Sequence, residues 1–301
     1  MATVVTSKML AALAKPAKAE TTSLEVDQAF LKQKEQALAL ETDESILDRL
    51  RDRFEILDDM TRAVKGGKVK AMIVTGPPGV GKSFGVEKVL SKHDVFANVA
   101  NDEKLKKYEV VKGAMSAIGL YSKLYHFKDK KNVLVFDDCD SILLDDLSLN
   151  ILKAALDSSK KRTIHWNTDS HLLRREGVPD SFEFQGGAIF ITNIKFDHVK
   201  SKKLRDHLEA LESRCHYLDL TIDTEREKVL RIKQVVTEHG MLDSYDLSDE
   251  AKLDVVNFVD EYKARMRELS LRTVLKVADL RVSFPDTWRA VAEVTCMRGS
   301  R

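Results

Sequence analysis

Apolar positions change their period along the chain, and each change marks a boundary. Leu24, Leu31 and Leu38 recur seven residues apart, while Ile46, Leu50, Phe54, Leu57 and Met60 keep the three-to-four spacing of one helix face. The first pattern predicts a short helix within 23–40, docked on its own domain or presented to a partner. The second predicts a helix over 43–64, stopped by Gly66 and Gly67. From Lys68 to about Leu220, short β-rich runs take over at 71–75, 108–111, 133–136, 188–192 and 217–220. Helical stretches separate them, which predicts a parallel sheet with helices on both faces. After Asp223 the strands cease, and helical patterns follow at 225–238, 248–269, 271–282 and 285–297. The expected fold class is α/β, a helix-covered parallel sheet followed by a small all-helical domain. The expected division is a flexible arm and short amphipathic helix over 1–42, an α/β domain over 43–221 and a helical domain over 222–301.

Composition narrows the classes. The chain has 301 residues, enough for one large or two modest domains, and 43% of them are hydrophobic. Lys and Arg number 49 against 48 Asp and Glu, so no overall field selects nucleic acid or membrane, and any basic surface must be local. The first 22 or so residues are small and polar, a composition that cannot order itself by burial. Cys139, Cys215 and Cys296 lack metal-ligand spacing and read as reduced thiols in a cytoplasmic setting. No apolar run approaches the roughly 20 residues that span a bilayer.

The strongest chemical signal is Gly76-Pro77-Pro78-Gly79-Val80-Gly81-Lys82-Ser83, a complete P-loop pattern between an apolar strand and a helical run. Glycines let backbone N–H groups approach phosphates without a Cβ in the way, and the following helix adds partial positive charge at its N-terminus. Lys82 would neutralise the β- and γ-phosphates, and the Ser83 hydroxyl would ligate Mg²⁺. A second acidic group is expected on a neighbouring strand. Val133-Leu134-Val135-Phe136 ends in Asp137-Asp138-Cys139-Asp140, and a buried strand ending in carboxylates is costly unless a cation compensates. Asp137 would hold Mg²⁺ directly or through water, and Asp138 would orient or deprotonate the attacking water. The implied cofactors are ATP and Mg²⁺.

These residues, with those that follow, resemble the AAA+ superfamily of ring ATPases. Ala188-Ile189-Phe190-Ile191-Thr192-Asn193 is similar to its sensor 1 strand, which implies that Asn193 reaches the γ-phosphate. Leu211-Glu212-Ser213-Arg214-Cys215 resembles the Ser-Arg-Cys motif of clamp-loader-type members, which implies that Arg214 enters the neighbouring subunit's ATP site, with Arg205 as the alternative. Leu269-Ser270-Leu271-Arg272 opens a helix as the family's sensor 2 does, which implies that Arg272 reaches the γ-phosphate from a helical lid. The resemblance implies a P-loop NTPase sheet with a helical lid, ATP hydrolysis, and a ring-like homo-oligomer, a hexamer by preference. Its substrate would be macromolecular, DNA or protein, and no membrane is implicated. One departure is Asp138, where many members carry Glu; the shorter side chain implies slow or partner-stimulated hydrolysis, or a share for Asp140.

About 50 residues separate the acidic strand from the sensor-like strand, more than a minimal crossover requires. Arg162–Trp166 and Ser181–Phe184 are β-like and predict a hairpin there. Gly113–Tyr121 has the small, apolar and aromatic content of a polypeptide-gripping pore loop, whereas Lys160, Lys161, Arg162, Arg174 and Arg175 suit phosphates. Together these segments resemble AAA+ ATPases encoded by tailed bacteriophages. An ATP-gated assembly scaffold with slow hydrolysis, or a peptide-translocating unfoldase, stands beside the remodelling or loading role in DNA replication or processing.

Overall fold

The computed structural model describes residues 41–92, 106–194, 196 and 199–299. The expected arm and the 23–40 helix lie outside them. Chain proximity divides the protein into Met1–Ile46 and Leu47–Arg301, and the whole sheet and all the later helices belong to the second unit.

Helix α1 (Asp43–Lys65) begins with Asp43 and Glu44 and ends with Arg62 and Lys65, each sign at the helix end that favours it. Five strands follow: β1 (Ala71–Thr75), β2 (Tyr108–Lys112), β3 (Val133–Asp137), β6 (Gly187–Thr192) and β7 (His216–Asp219). They form one sheet in the order β2-β3-β6-β1-β7, and every pair is parallel. Ala71, Ile73, Leu134, Phe136, Ala188 and Phe190 share a core with helix α3 (Ala117–His126) on one face. The intervening Met72, Val74, Val133, Val135, Ile189 and Ile191 are equally buried and, by strand alternation, face the other side. Covering both faces is what makes these strands continuous apolar runs.

Parallel strands place all their C-terminal ends on one edge, where ligand sites of open α/β sheets form. Here β6 lies between β1 and β3, so the P-loop after β1, Asp137 ending β3 and Thr192 ending β6 become neighbours. This is an α/β fold with a helical C-terminal part, as the periodicity predicts, and of the P-loop type that the Gly76–Ser83 motif and the resemblance imply.

The crossover from β3 to β6 carries α4 (Asp140–Leu144), α5 (Asp146–Ala155), β4 (Thr163–His165), α6 (His171–Arg175) and β5 (Ser181–Glu183). Strands β4 and β5 pair antiparallel, with Ile164 opposite Phe182, so the expected hairpin is present. Arg162 does not serve as a phosphate contact: it is buried, and donates to the carbonyls of Ala155 (3.0 Å) and Gly186 (3.1 Å), closing the insertion against the sheet. The 113–121 segment is likewise shorter than its composition suggests. Ser116 caps α3, and Leu120 and Tyr121 are buried, leaving 113–116 as the loop.

Helix α7 (Lys202–Glu212) precedes β7. The C-terminal part comprises α8 (Glu225–Glu238), α9 (Asp249–Glu261), a 3-10 turn (Lys263–Arg265), α10 (Leu271–Ser283) and α11 (Trp288–Cys296). Its own core joins Val255, Phe258, Val274, Val277, Trp288 and Ala292. Helix α9 stops short of Leu269 because Met266 bridges Met297, with Arg267 N–H bonded to the Cys296 carbonyl at 2.9 Å. Met266 N–H still bonds to the Tyr262 carbonyl, but Arg267 N–H and the Arg265 carbonyl are taken by Cys296 and Arg298, so the helical ladder does not run past Met266. None of the described helices is long and apolar enough to cross a membrane.

Candidate functional site

The turn after β1 holds three glycines with positive φ, Gly76, Gly79 and Gly81. Gly79 has φ +70°, and a Cβ there would stand 2.6 Å from Ser270 Cβ. Gly81 has φ +101° and is the N-cap of α2 (Lys82–Ser91), which has neither a side-chain cap nor an acidic residue in its first turn. Helix amides left without a side-chain acceptor suit an anion. Lys82 follows, only 6% exposed. Its ammonium donates to the carbonyls of Gly76 (2.7 Å) and Pro77 (2.9 Å) and to Asn193 Oδ1 (2.7 Å). Burial pushes its pKa down to about 8, opposed by the fields of Asp138 and Asp137 and reinforced by Arg272.

The expected acidic and sensor residues meet this lysine. Asn193 donates its amide to Asp138 Oδ1 at 3.0 Å, so Lys82, Asn193 and Asp138 form one chain of bonds. Ser83 Oγ donates to Asp137 Oδ1 at 2.8 Å, and Lys112 stands 3.4 Å from Asp137 Oδ2. Asp138 holds φ +52°, a strained conformation that asparagine and aspartate tolerate best. Asp140 instead accepts from Thr192 Oγ1 at 2.6 Å and does not line the cavity, which separates it from Asp138.

A cavity of about 350 Å³ opens over these groups. Pro78, Gly79, Gly81, Lys82 and Ser83 line it, with Asp137, Asp138 and Asn193 beside them. Val80 is buried. Arg272, second residue of α10, lines it from the helical part, and the Leu271 N–H donates to the Gly79 carbonyl at 2.9 Å. Arg214 lies elsewhere, between α7 and β7, with its guanidinium donating to Ala210 O. The register pairs His216 with Met72, so Arg214 sits by the N-terminal edge of the sheet, away from the P-loop.

Sequence reasoning missed the opposite wall. Phe54 from α1, Arg231 and Val235 from α8, Met241, Leu271 and Leu275 line the cavity there, beside the charged Arg51, Glu55, Asp58 and Glu238. Phe54 reads as an ordinary apolar helix position, and Arg231 carries no sequence signal at all. An apolar patch of Phe54, Val235, Met241, Leu271 and Leu275 across from an amide-rich floor carrying Lys82 fits a nucleotide. Ser83 and Asp137 supply two oxygen donors, the chemistry of a hard divalent cation. Among the described residues no group of three or more His, Cys, Asp or Glu forms a cage, so further ligands would come from phosphate and water.

No family model matches the chain. It is 34% identical over 254 residues to the "Uncharacterized 36.7 kDa protein in nrdC-mobD intergenic region" of Enterobacteria phage T4, covering 84% of this chain and 76% of that protein. Solved structures with similarity include S. cerevisiae Hsp104 in its extended casein complex, at TM-score 0.42 and 16% identity, over 83% of this chain. NtrX from Brucella abortus in complex with ADP aligns at TM-score 0.41 and 15% identity, over 90% of this chain. The chain spans 40% of the former and 59% of the latter. The extent of identity to the phage protein places the chain in that protein's family.

Proposed function

We propose that this chain, as a member of the phage T4 protein's family, is an ATPase of the AAA+ type that binds and hydrolyses ATP with Mg²⁺. The observation that carries the reading is the bonded series Lys82–Asn193–Asp138, at the ends of adjacent strands, beside the Ser83–Asp137 pair. Lys82 and the first-turn amides of α2 neutralise the phosphates. Asn193 holds Lys82 and Asp138 at fixed separation, and Asp138 orients the attacking water or takes its proton. Ser83 and Asp137 hold Mg²⁺, which when bound supplies Lewis-acid charge neutralisation. Residues 43–221 act as the nucleotide-binding domain and 222–301 as the lid.

Arg214 is the candidate finger for the adjoining protomer of a ring-like oligomer, following its clamp-loader-like Ser-Arg-Cys setting. Its place away from its own cavity supports service in trans. Lys82→Ala is expected to abolish binding of a fluorescent ATP analogue, and unchanged affinity refutes the site. Arg214→Ala is expected to keep binding and lose turnover. Mixing it with Lys82→Ala subunits then restores part of the rate, and no rescue at any ratio rules out a shared site.

Asp138 supports a second reading, an ATP-gated scaffold with slow hydrolysis. Its carboxylate is short and already bonded to Asn193, which restrains it as a base. ATPase rates with single-stranded DNA and with unfolded polypeptide separate the readings: stimulation by either supports remodelling of that substrate. No stimulation by either, with ATP-dependent assembly, supports the scaffold.

A further inference from the structure

Arg231 is a buried charge, among the described residues, whose setting the P-loop, acidic and sensor residues of the site do not explain. It lies in the middle of α8, between Leu230 and Ile232, and is only 5% exposed. Its guanidinium carbon sits 3.4 Å from the centroid of Phe54, directly against that ring. Nη1 donates to the neutral Gln234 Oε1 at 2.7 Å, while Nε has no partner among the described residues. None of the described carboxylates is bonded to it, although the fields of Glu238 and Asp58, which line the same cavity, favour its charge. Burying a guanidinium on these terms is unfavourable, and proteins retain such groups where another charge completes them.

The direction in which Arg231 points identifies that charge. It lines the cavity, and a Cβ built on Gly81 would lie 3.8 Å from Arg231 Nη2. Gly81 is the uncapped N-cap of α2, whose amides already present partial positive charge to the same space. Lys82 follows it directly, and Arg272 lines the same cavity. A guanidinium aimed at a helix N-terminus is electrostatically opposed unless an anion lies between them. An arginine fork has donors only and matches phosphate oxygens.

We infer that Arg231 is a phosphate-binding residue of the nucleotide site, a second cation delivered by the C-terminal helices besides Arg272. This rests on the nucleotide-binding reading and assigns part of the affinity to α8. Phe54 serves as the platform on which the fork rests when no phosphate is present. Because α8 and α10 then both grip the phosphates, the helical part is drawn to the P-loop at two points.

The test compares wild type, R231Q, R231K and K82A by displacement of a fluorescent ATP analogue, using ATP, ADP and sodium tripolyphosphate as probes. R231Q is expected to weaken ATP and tripolyphosphate alike, on the order of tenfold or more. R231K, which keeps the charge, should recover part of the loss. The melting temperature of R231Q without nucleotide should match or exceed that of wild type, because a buried charge with no bonded carboxylate has been removed. A loss confined to ATP, with tripolyphosphate unchanged, shows that Arg231 reads the base and overturns the phosphate assignment. Unchanged affinity with a lowered melting temperature shows a structural residue and also overturns it. Failure of wild type itself to bind any of the probes sinks the nucleotide reading instead, which keeps the two failures distinct.

Discussion

Gly79 joins two constraints at one residue. Its left-handed backbone disfavours any side chain, and its hypothetical Cβ would strike Ser270 at the start of α10. Gly79→Ala is therefore expected to destabilise the fold by about 1–3 kcal/mol in denaturant titrations. A variant as stable as wild type shows that the loop can move away from α10. Asp138 illustrates the opposite trade. Its φ of +52° is strained for a side chain that the proposed chemistry requires, so Asp138→Gly should gain up to about 1 kcal/mol while losing turnover. Loss of both stability and turnover counts against stored strain. The thiols give a pH-dependent readout. Burial pushes Cys139 up to about 11 and Cys215 up to about 12. Nearby Asp137 and Asp140 add to the first shift, while Arg214 opposes the second. Both folded values lie above the ordinary 9.0, so the native state holds these protons longer. Their contribution to stability is complete below about pH 9 and falls as pH rises toward 11 and 12. Iodoacetamide at pH 8 should spare the buried Cys139 in the native protein, react slowly with the half-buried Cys215, and label both after unfolding; rapid native labelling of Cys139 contradicts its burial.

Among the elements, the insertion between β3 and β6 depends on Arg162. Its two bonds tie the end of α5 to the residue before β6, and its guanidinium also lies over Phe184. Arg162→Ala strands two buried carbonyls and should cost about 2–4 kcal/mol, without weakening nucleotide binding when measured below the new midpoint. A surface arginine gripping phosphate would show the reverse pattern. Much of the element plan was legible beforehand: β1 occupies 71–75 and α8 occupies 225–238, the ranges that periodicity marks. The exceptions have a common cause. Helix α9 ends early because a bridge between Met266 and Met297 captures its continuation, a partner about thirty residues away that no local pattern announces. Leu120 and Tyr121 look like pore-loop residues in a line of text, yet α3 turns them into the core.

On the scale of the whole molecule, the helical part and the P-loop are joined by the Leu271-to-Gly79 bond and by the cavity they share. Nucleotide should then slow amide exchange in α10, at Leu271 above all, as well as in the P-loop. Protection confined to the P-loop means that the two move independently. Taken alone, the sequence determined the chemistry of the cavity floor. The P-loop follows β1 and leads into Lys82 and Ser83 of α2, while Asp137 ends β3 and Asn193 directly follows β6, and apolar runs mark those strands locally. Only tertiary structure decided the cavity's other wall. Phe54 and Arg231 are 177 residues apart in the chain, and their contact depends on how α8 meets α1. Local periodicity reports which face of a helix is buried; what that face is buried against is set by packing between elements distant in sequence.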